Sequence, residues 1–285
     1  MTIKIVTDSA CDVPPELAHQ FDITVVPAYI NVGQASYLEG VEISGEEFYN
    51  RLASFPQYPT TAAPAIGTFT QQYERLTAAG ASQILSMHIA HDLSAIYNTA
   101  RIAAVSANSA PVTLFDTRQI TLGAGLLVLL AAEAAAAGQT LAEILAMLNE
   151  KVSRTRVFGM INSLESLHRS GRVSWAQFGI GSLLQIKPIM MIADGVISAA
   201  AKVRTRKRAI SQMLQMVAEF APFERLAIIH VNAQEAAEEL YQLSGDLFNS
   251  LAGAKPLIQG ITPAVGTHLG VGAVGFAAVS ARPSE

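Results

Sequence analysis

Apolar and polar positions along the first half of the chain predict strands that alternate with helices. Short apolar runs at residues 3–6, 84–87 and 112–115 have the length of buried strands. A fourth run at residues 23–30 contains Pro27, which indicates a strand end or an edge position. Segments with helical spacing separate these runs. This alternation predicts a parallel sheet with helices on both faces.

The pattern changes in the second half of the chain. Asp194-Gly195 is a two-residue hairpin signal that links two apolar runs, and a hairpin indicates a mixed or antiparallel sheet. The sequence therefore predicts an α/β protein of two domains. Residues 1–155 form an N-terminal domain on a parallel sheet, and residues 156–285 form a C-terminal domain on a mixed sheet with flanking helices.

The end of the strand at residues 84–87 is a candidate ligand site. A polar turn, His91-Asp92, follows it, and helical spacing then resumes at Ile96. Asp92 is a plausible N-cap, and Ser94 falls in the first helical turn, beside backbone N–H groups that lack partners within the helix. Such a position suits a carboxylate or a phosphate. The simpler alternative is that Ser94 only caps the helix.

Composition excludes several classes of protein. Apolar residues make up 51% of the chain and charged residues 15%, which suits a well-buried core and argues against disorder. The net charge of −4 gives no reason to expect nucleic acid as a partner. The single cysteine, Cys11, rules out an internal disulfide and fits a reducing compartment. The longest apolar run, residues 122–138, is too short for a membrane span. We expect a cytoplasmic protein.

Three motifs suggest chemistry without the context that it needs. Residues 270–275 match the letters of a dinucleotide fingerprint, but the residues that follow leave no room for a helix and a second strand. His88 and His91 have no further ligands near them to complete a metal site. Cys11 is interpreted as a small buried side chain, because no basic partner can be identified. We expect neither a metal nor a cofactor.

The densest group of basic residues follows the predicted hairpin. The group is Lys202, Arg204, Arg206, Lys207 and Arg208, and a weaker one is His168, Arg169 and Arg172. Each is either a solvated helix face or a docking surface for an acidic protein or a phosphorylated ligand.

Short segments spread over almost the whole chain follow one another in a distinctive order. They are Thr7-Asp8-Ser9, Pro59-Thr60-Thr61, Leu93-Ser94 with Tyr97, Asp116 with Gly123-Ala124-Gly125, Leu164-Glu165-Ser166-Leu167, Gly171-Arg172-Val173-Ser174, Lys187-Pro188-Ile189, Lys202-Val203-Arg204-Thr205 and Gly266-Thr267-His268-Leu269-Gly270. In this order they resemble the DegV family. These are bacterial fatty-acid-binding proteins that include the acyl-carrying (FakB-type) component of fatty acid kinase.

The resemblance implies two α/β domains with one long-chain fatty acid between them. It implies that Thr61 and Ser94 bind the carboxylate, with His268 close by. The segments around Arg172 and around Lys202 and Arg204 resemble surfaces that dock a partner kinase, which uses ATP to phosphorylate the acyl carboxylate. A protein of this type presents a substrate and performs no catalysis alone.

Burial of the acyl chain supplies most of the expected binding energy. One CH₂ group contributes about 0.8 kcal/mol, so a palmitate chain gains on the order of 11 kcal/mol before association costs. Binding therefore needs an apolar tunnel more than a strong head-group clamp. The residues expected to form its walls, or to lie one layer behind them, are Asp8, Ser9, Ile30, Phe158, Ile189 and Met191. Each apolar member of this set could equally be plain core.

The chain departs from the family pattern beside the expected head group. Ala62-Ala63 stands where the family often has Ser-Gln, and Ala95-Ile96 stands in place of Gly-Thr. Two alternative functions stay open. One is an enzyme that acts on a small carbonyl or phosphorylated substrate through His268, with Asp8 assisting. The other is a lipid sensor or scaffold without a kinase partner.

Overall fold

The computed structural model describes residues 2–162, 164–171, 186–249, 251 and 257–282. The strands are β1 (Ile3–Asp8), β2 (Thr24–Val26), β3 (Tyr29–Val32), β4 (Ala35–Leu38), β5 (Thr60–Ala62), β6 (Gln83–His88), β7 (Val112–Asp116), β8 (Thr155–Met160), β9 (Lys187–Ala193), β10 (Val196–Val203), β11 (Phe223–His230), β12 (Leu257–Gly260) and β13 (Val274–Ser280). The helices are α1 (Pro15–Gln20), α2 (Gly45–Arg51), α3 (Ile66–Ala78), α4 (Ile96–Ser106), α5 (Thr121–Ala136), α6 (Leu141–Val152), α7 (Glu165–Arg169), α8 (Arg206–Glu219), α9 (Gln234–Leu243), α10 (Gly245–Phe248) and α11 (Pro263–Leu269).

The N-terminal sheet is parallel throughout, in the order β2-β1-β6-β7. Successive side chains of a strand point to opposite faces, and β6 shows both faces buried. Ile84 packs in the cluster that contains residues of α3 and α4, whereas Leu85 and Met87 pack with residues of α5 and α6. The predicted parallel sheet with helices on both faces is confirmed.

The C-terminal sheet is mixed, in the order β10-β9-β8-β13-β11-β12. Its neighbouring strands are antiparallel except for β11 and β12, which are parallel. Asp194 and Gly195 connect β9 to β10, and both have positive φ, as this kind of hairpin turn requires. The predicted hairpin and mixed sheet are confirmed.

Helix α5 lies between the two sheets and contacts strands of both. Two glycines allow this close packing. A Cβ atom on Gly125 would lie 2.4 Å from the carbonyl oxygen of Cys11, and one on Gly123 would lie 2.4 Å from a methyl group of Val157. The two halves of the chain therefore share a core around α5. The division at residue 155, where β8 begins, stays a prediction.

A small three-stranded sheet, in the order β4-β3-β5, was not expected from the sequence. The run at residues 23–30, predicted as one strand, separates into β2 and β3 around Pro27. The proline-rich segment at residues 56–64 contains β5. Antiparallel pairing places Ile30 of β3 opposite Thr61 of β5.

The start of α4 differs from its prediction. Asp92 does not cap it, because residues 91–93 form a turn and the helix begins at Ile96. Ser94 lies before the helix and not in its first turn, where the sequence predicts it. Other helix starts agree with the sequence: Thr140 caps α6 through a capping box with Glu143. Within the described part of the chain, no helix combines the length and apolarity needed to cross a membrane.

Candidate functional site

A cavity of about 260 Å³ lies between the two halves of the chain. It is lined by Ala10, Ala28, Thr61, Ala62, Ala63, Ile89, Leu93, Ser94, Ala95, Ile96, Ile120, Leu167, Met190, Ile192, Ile197, Ala264, Val265, His268 and Leu269. Most of these side chains are apolar, and many are alanines, which leave space that larger residues would fill. Among the described residues, no arginine or lysine lines the cavity.

Thr61, Ser94 and His268 supply the polar side chains of this wall, and they come from three distant segments. Thr61 lies on β5, Ser94 in the turn between β6 and α4, and His268 in the last turn of α11. Thr61 Oγ1 is 3.0 Å from His268 Nε2. The structure thus brings the three predicted head-group residues to one cavity.

The chemistry of these three groups suits an acid that enters an apolar space. Two hydroxyls and one imidazole can all donate hydrogen bonds to a carboxylate. Ser94 Oγ already accepts a 3.3 Å bond from the N–H of Ile96, so its own proton can point toward a ligand. All three side chains are half-buried, which keeps the head of a ligand within reach of solvent.

Tyr58 holds the strand that carries Thr61 against the helix that carries His268. Its hydroxyl donates a 2.6 Å bond to the carbonyl of Thr267 and lies 3.2 Å from Ser166 Oγ. The guanidinium of Arg169 lies 5.0 Å from the centre of its ring. Sequence reasoning missed this residue, although an aromatic side chain within the proline-rich segment is the signal that could have found it.

Two buried carboxylates hold the first turn of α11. Asp12 accepts a 2.9 Å bond from the N–H of Thr262 and a bond from the hydroxyl of Thr121. Glu39 accepts a bond from the N–H of Ala264. Burial raises the pKa of Asp12 to about 8 and that of Glu39 to about 7. Neither was predicted, because isolated acidic residues give no sequence signal of where they pack.

Asp8 and Ser9 lie behind the cavity wall and do not line it. Asp8 is fully buried, accepts bonds from the N–H groups of Ala10 and Ile89, and lies 2.9 Å from Nδ1 of His88. Ser9 Oγ accepts a 2.9 Å bond from the N–H of Ala28. Ala10, Ile89 and Ala28 do line the cavity, so Asp8 and Ser9 fix the backbone of the wall.

The residues considered for metal or thiol chemistry lie in two places. Cys11 and His88 both contact Asp8 Oδ2, and His91 lies apart from them. His88 is buried, whereas His91 is exposed and lies 2.6 Å from Asp116. In the described ranges no group of three or more His, Cys, Asp or Glu side chains could hold a metal ion. Cys11 is buried as expected, and burial raises the pKa of its thiol well above the ordinary value.

The predicted tunnel walls on β8 and β9 need correction. Phe158, Ile189 and Met191 pack on the far face of the mixed sheet, in the cluster with α8 and α9. Side chains alternate along a strand, so Met190 and Ile192 line the cavity instead. Ile30 is also outside the lining and is buried in the core beneath β3.

The residues predicted to dock a partner kinase lie away from the cavity or outside the described residues. Lys202 and Arg204 are exposed where β10 leads into α8, and neither lines the cavity. Arg172 falls outside the described residues. Nothing in their placement tests a role in docking.

The glycine motif at residues 270–275 forms a turn followed by β13. Gly270 and Gly272 have positive φ in the turn. A Cβ atom on Gly275 would lie 1.9 Å from the carbonyl oxygen of Phe158. Close approach of two backbones therefore requires glycine at position 275, which lies in a strand rather than at the start of a helix.

Comparisons with known proteins cover almost the whole chain. The model of the DegV family matches residues 2–281. Protein DegV of Bacillus subtilis is 34% identical, over 97% of this chain and 98% of that protein. The crystal structure of DegV from Bacillus subtilis, described as a fatty acid binding protein, has a TM-score of 0.88 at 31% identity and covers 98% of this chain and 99% of that one. A DegV family protein from Thermus thermophilus, described by its fatty acid binding, has a TM-score of 0.86 at 31% identity. The match covers 98% of this chain and 100% of that one.

Proposed function

Because this chain belongs to the DegV family, we propose that it binds one long-chain fatty acid in the cavity between its two sheets. The acyl chain lies along the apolar wall, and Thr61, Ser94 and His268 hold the carboxylate. The observation that carries this proposal is that these three distant residues are the polar side chains of an otherwise apolar cavity. Two structural relatives described as binding fatty acids support it.

The energetics favour a lipid over a small polar ligand. Each buried CH₂ group contributes about 0.8 kcal/mol, whereas a hydrogen bond to a charged group contributes roughly 1.5–3 kcal/mol. A chain such as palmitate or oleate therefore gains most of its affinity from the wall. The head site then needs to select the carboxylate end of the ligand more than it needs to add affinity. Neutral hydrogen-bond donors suffice for that selection.

Binding is tested with purified protein, added palmitate or oleate, native mass spectrometry and thermal melting. We expect one acyl chain per protein and a higher melting temperature. Thr61→Val removes a hydroxyl from the head site and should weaken binding about tenfold. Thr70→Val on α3 is the matched control, since its hydroxyl bonds a carbonyl of its own helix. The proposal would be overturned if no acyl chain is bound and neither acid changes the melting temperature.

We further propose that the protein presents the carboxylate to a partner ATP-dependent kinase, as the FakB-type components of fatty acid kinase do, and performs no catalysis alone. Arg206, Lys207 and Arg208 occupy the first turn of α8, where positive charge opposes the helix dipole. Arg206 lies 3.6 Å from Glu239 of α9, but the helix dipole gives the exposed Lys207 and Arg208 no stabilising role. Docking to an acidic surface would account for their position.

The docking proposal is tested by co-purification with a candidate kinase and by ATP-dependent formation of acyl phosphate. Reversal of charge in a Lys202→Glu, Arg204→Glu double variant should abolish capture and leave fatty acid binding unchanged. Arg282→Glu, exposed near the C-terminal end of the described chain, is the control. If the kinase captures the wild-type protein, the double variant and the control equally, the basic group is not the docking surface. Acyl phosphate formed without a kinase would contradict the carrier role.

A further inference from the structure

A second, smaller cavity of about 30 Å³ lies beside the first, and its walls expose only apolar atoms. We call it the glycine pocket. Its lining includes Ile120, Gly159, Met190, Ile192, Leu269 and Gly275. Ile120, Met190, Ile192 and Leu269 also line the main cavity. One layer of side chains therefore separates the two spaces.

The glycine pocket originates in a row of three residues across the mixed sheet. Gly275 of β13 pairs with Gly159 of β8, and Gly159 pairs with Met190 of β9. Residues directly opposite one another in antiparallel strands point to the same face. Two adjacent glycines thus leave this face without side chains next to Met190.

The two glycines differ in what their missing side chains would meet. A Cβ atom on Gly275 would collide with the backbone of β8, so glycine is required there by the approach of the strands. A Cβ atom on Gly159 would meet no heavy atom of the described chain within 4 Å, and Gly159 has no positive φ. Neither packing nor backbone conformation requires glycine at position 159. Because Gly159 has no side chain, the space above it stays empty.

Met190 has the most flexible type of side chain in this partition. It lines both spaces and is almost fully buried. Methionine has an unbranched, flexible side chain that adapts to the shape of its neighbours. The unfilled space at Gly159 allows this side chain to change rotamer. Such a change can join the main cavity to the glycine pocket.

We propose that the glycine pocket receives the end of the longest acyl chains and that Gly159 sets the chain length that the protein accepts. This proposal rests on the proposed binding of fatty acid in the main cavity. Each CH₂ group that cannot be buried lowers affinity about fourfold. A side chain at position 159 should therefore discriminate steeply against long chains and leave short chains unaffected.

The test is a competition among saturated acids from decanoate to stearate, read by native mass spectrometry of the wild-type protein, Gly159→Ala and Gly159→Leu. Gly67→Ala is the control, because Gly67 is exposed on α3 and its Cβ also meets open space. We expect the preferred chain to shorten progressively from wild type to Gly159→Leu, with at least a tenfold loss for stearate and no loss for decanoate. The control should keep the wild-type profile.

Two results would overturn the proposal, and they are distinguishable. An unchanged chain-length profile in folded Gly159→Leu leaves fatty acid binding intact and removes Gly159 as its determinant. Absence of any bound acid in the wild-type protein removes the proposed function itself. If Gly159→Leu does not fold, the smaller Gly159→Ala variant decides, because an unchanged profile there rejects the proposal equally.

Discussion

The two faces of the mixed sheet use the same strands for different purposes. On the outer face, Phe158, Ile189 and Phe276 pack against α8 and α9 and leave little space. The sequence neighbours of these residues, Gly159, Met190 and Gly275, lie on the inner face, which borders both cavities. Alternation along a strand therefore separates residues that stabilise the fold from residues that shape a binding space. Substitutions on the outer face should change stability alone, and those on the inner face should change ligand binding.

The largest expected effect tests the outer face. Phe276 is fully buried in the cluster with α8 and α9. Phe276→Ala should lower the free energy of unfolding by about 3–5 kcal/mol, because it removes a large side chain and leaves a cavity. Chemical denaturation measures this loss. The affinity of the folded variant for palmitate should stay unchanged, and a large fall in affinity would contradict the separation of the two faces.

A smaller effect distinguishes the two glycines of the inner face. Gly275→Ala places a methyl group against the carbonyl of Phe158 and should lower the free energy of unfolding by about 1–3 kcal/mol. Gly159→Ala meets open space and should change it by less than about 0.5 kcal/mol. Denaturation curves of the two variants provide the comparison. Equal losses would mean that the pocket at Gly159 is filled.

The contact between the two halves of the chain should depend on pH. Burial raises the pKa of Asp12 to about 8 and of Glu39 to about 7, above the values of about 4 expected in the unfolded chain. The folded protein therefore holds protons that the unfolded chain releases. This stabilising contribution is complete below about pH 4 and is lost as the pH rises through 7 and 8.

Denaturation at a series of pH values measures this dependence, with an expected slope on the order of 1 kcal/mol per pH unit between pH 5 and pH 7. Asp12→Asn should flatten the slope. The amide oxygen can still accept from the N–H of Thr262, and the amide nitrogen can donate to the hydroxyl of Thr121 once that hydroxyl rotates. An unaltered slope in this variant would assign the pH dependence to other groups.

The sequence predicted the two types of sheet because periodicity and the Asp194-Gly195 turn act locally, but it did not predict the small sheet of β3, β4 and β5. The turn after residues 84–87 pointed to Ser94, but only the resemblance grouped it with Thr61 and His268, since their proximity depends on three distant segments. Sequence reasoning chose Ile189 and Met191 where Met190 and Ile192 face the cavity. Both faces of β9 are apolar, so the pattern contains no signal for which face meets the other half of the chain.

The smallest expected effect concerns a side chain that sequence reasoning missed. Tyr58 does not line the cavity, but its hydroxyl bonds the carbonyl of Thr267, next to His268. Tyr58→Phe keeps the ring and its contact with Arg169 and removes that bond. The free energy of unfolding should fall by only about 0.5–1.5 kcal/mol, since a single neutral hydrogen bond is lost at a partly exposed site. Affinity for palmitate should fall about twofold to fivefold, because α11 then holds His268 less firmly, and isothermal titration can resolve such a change. Decanoate should lose affinity by the same factor, since the head site is common to all chain lengths. A loss of affinity confined to palmitate would instead mean that Tyr58 affects binding of the acyl chain and not of the carboxylate.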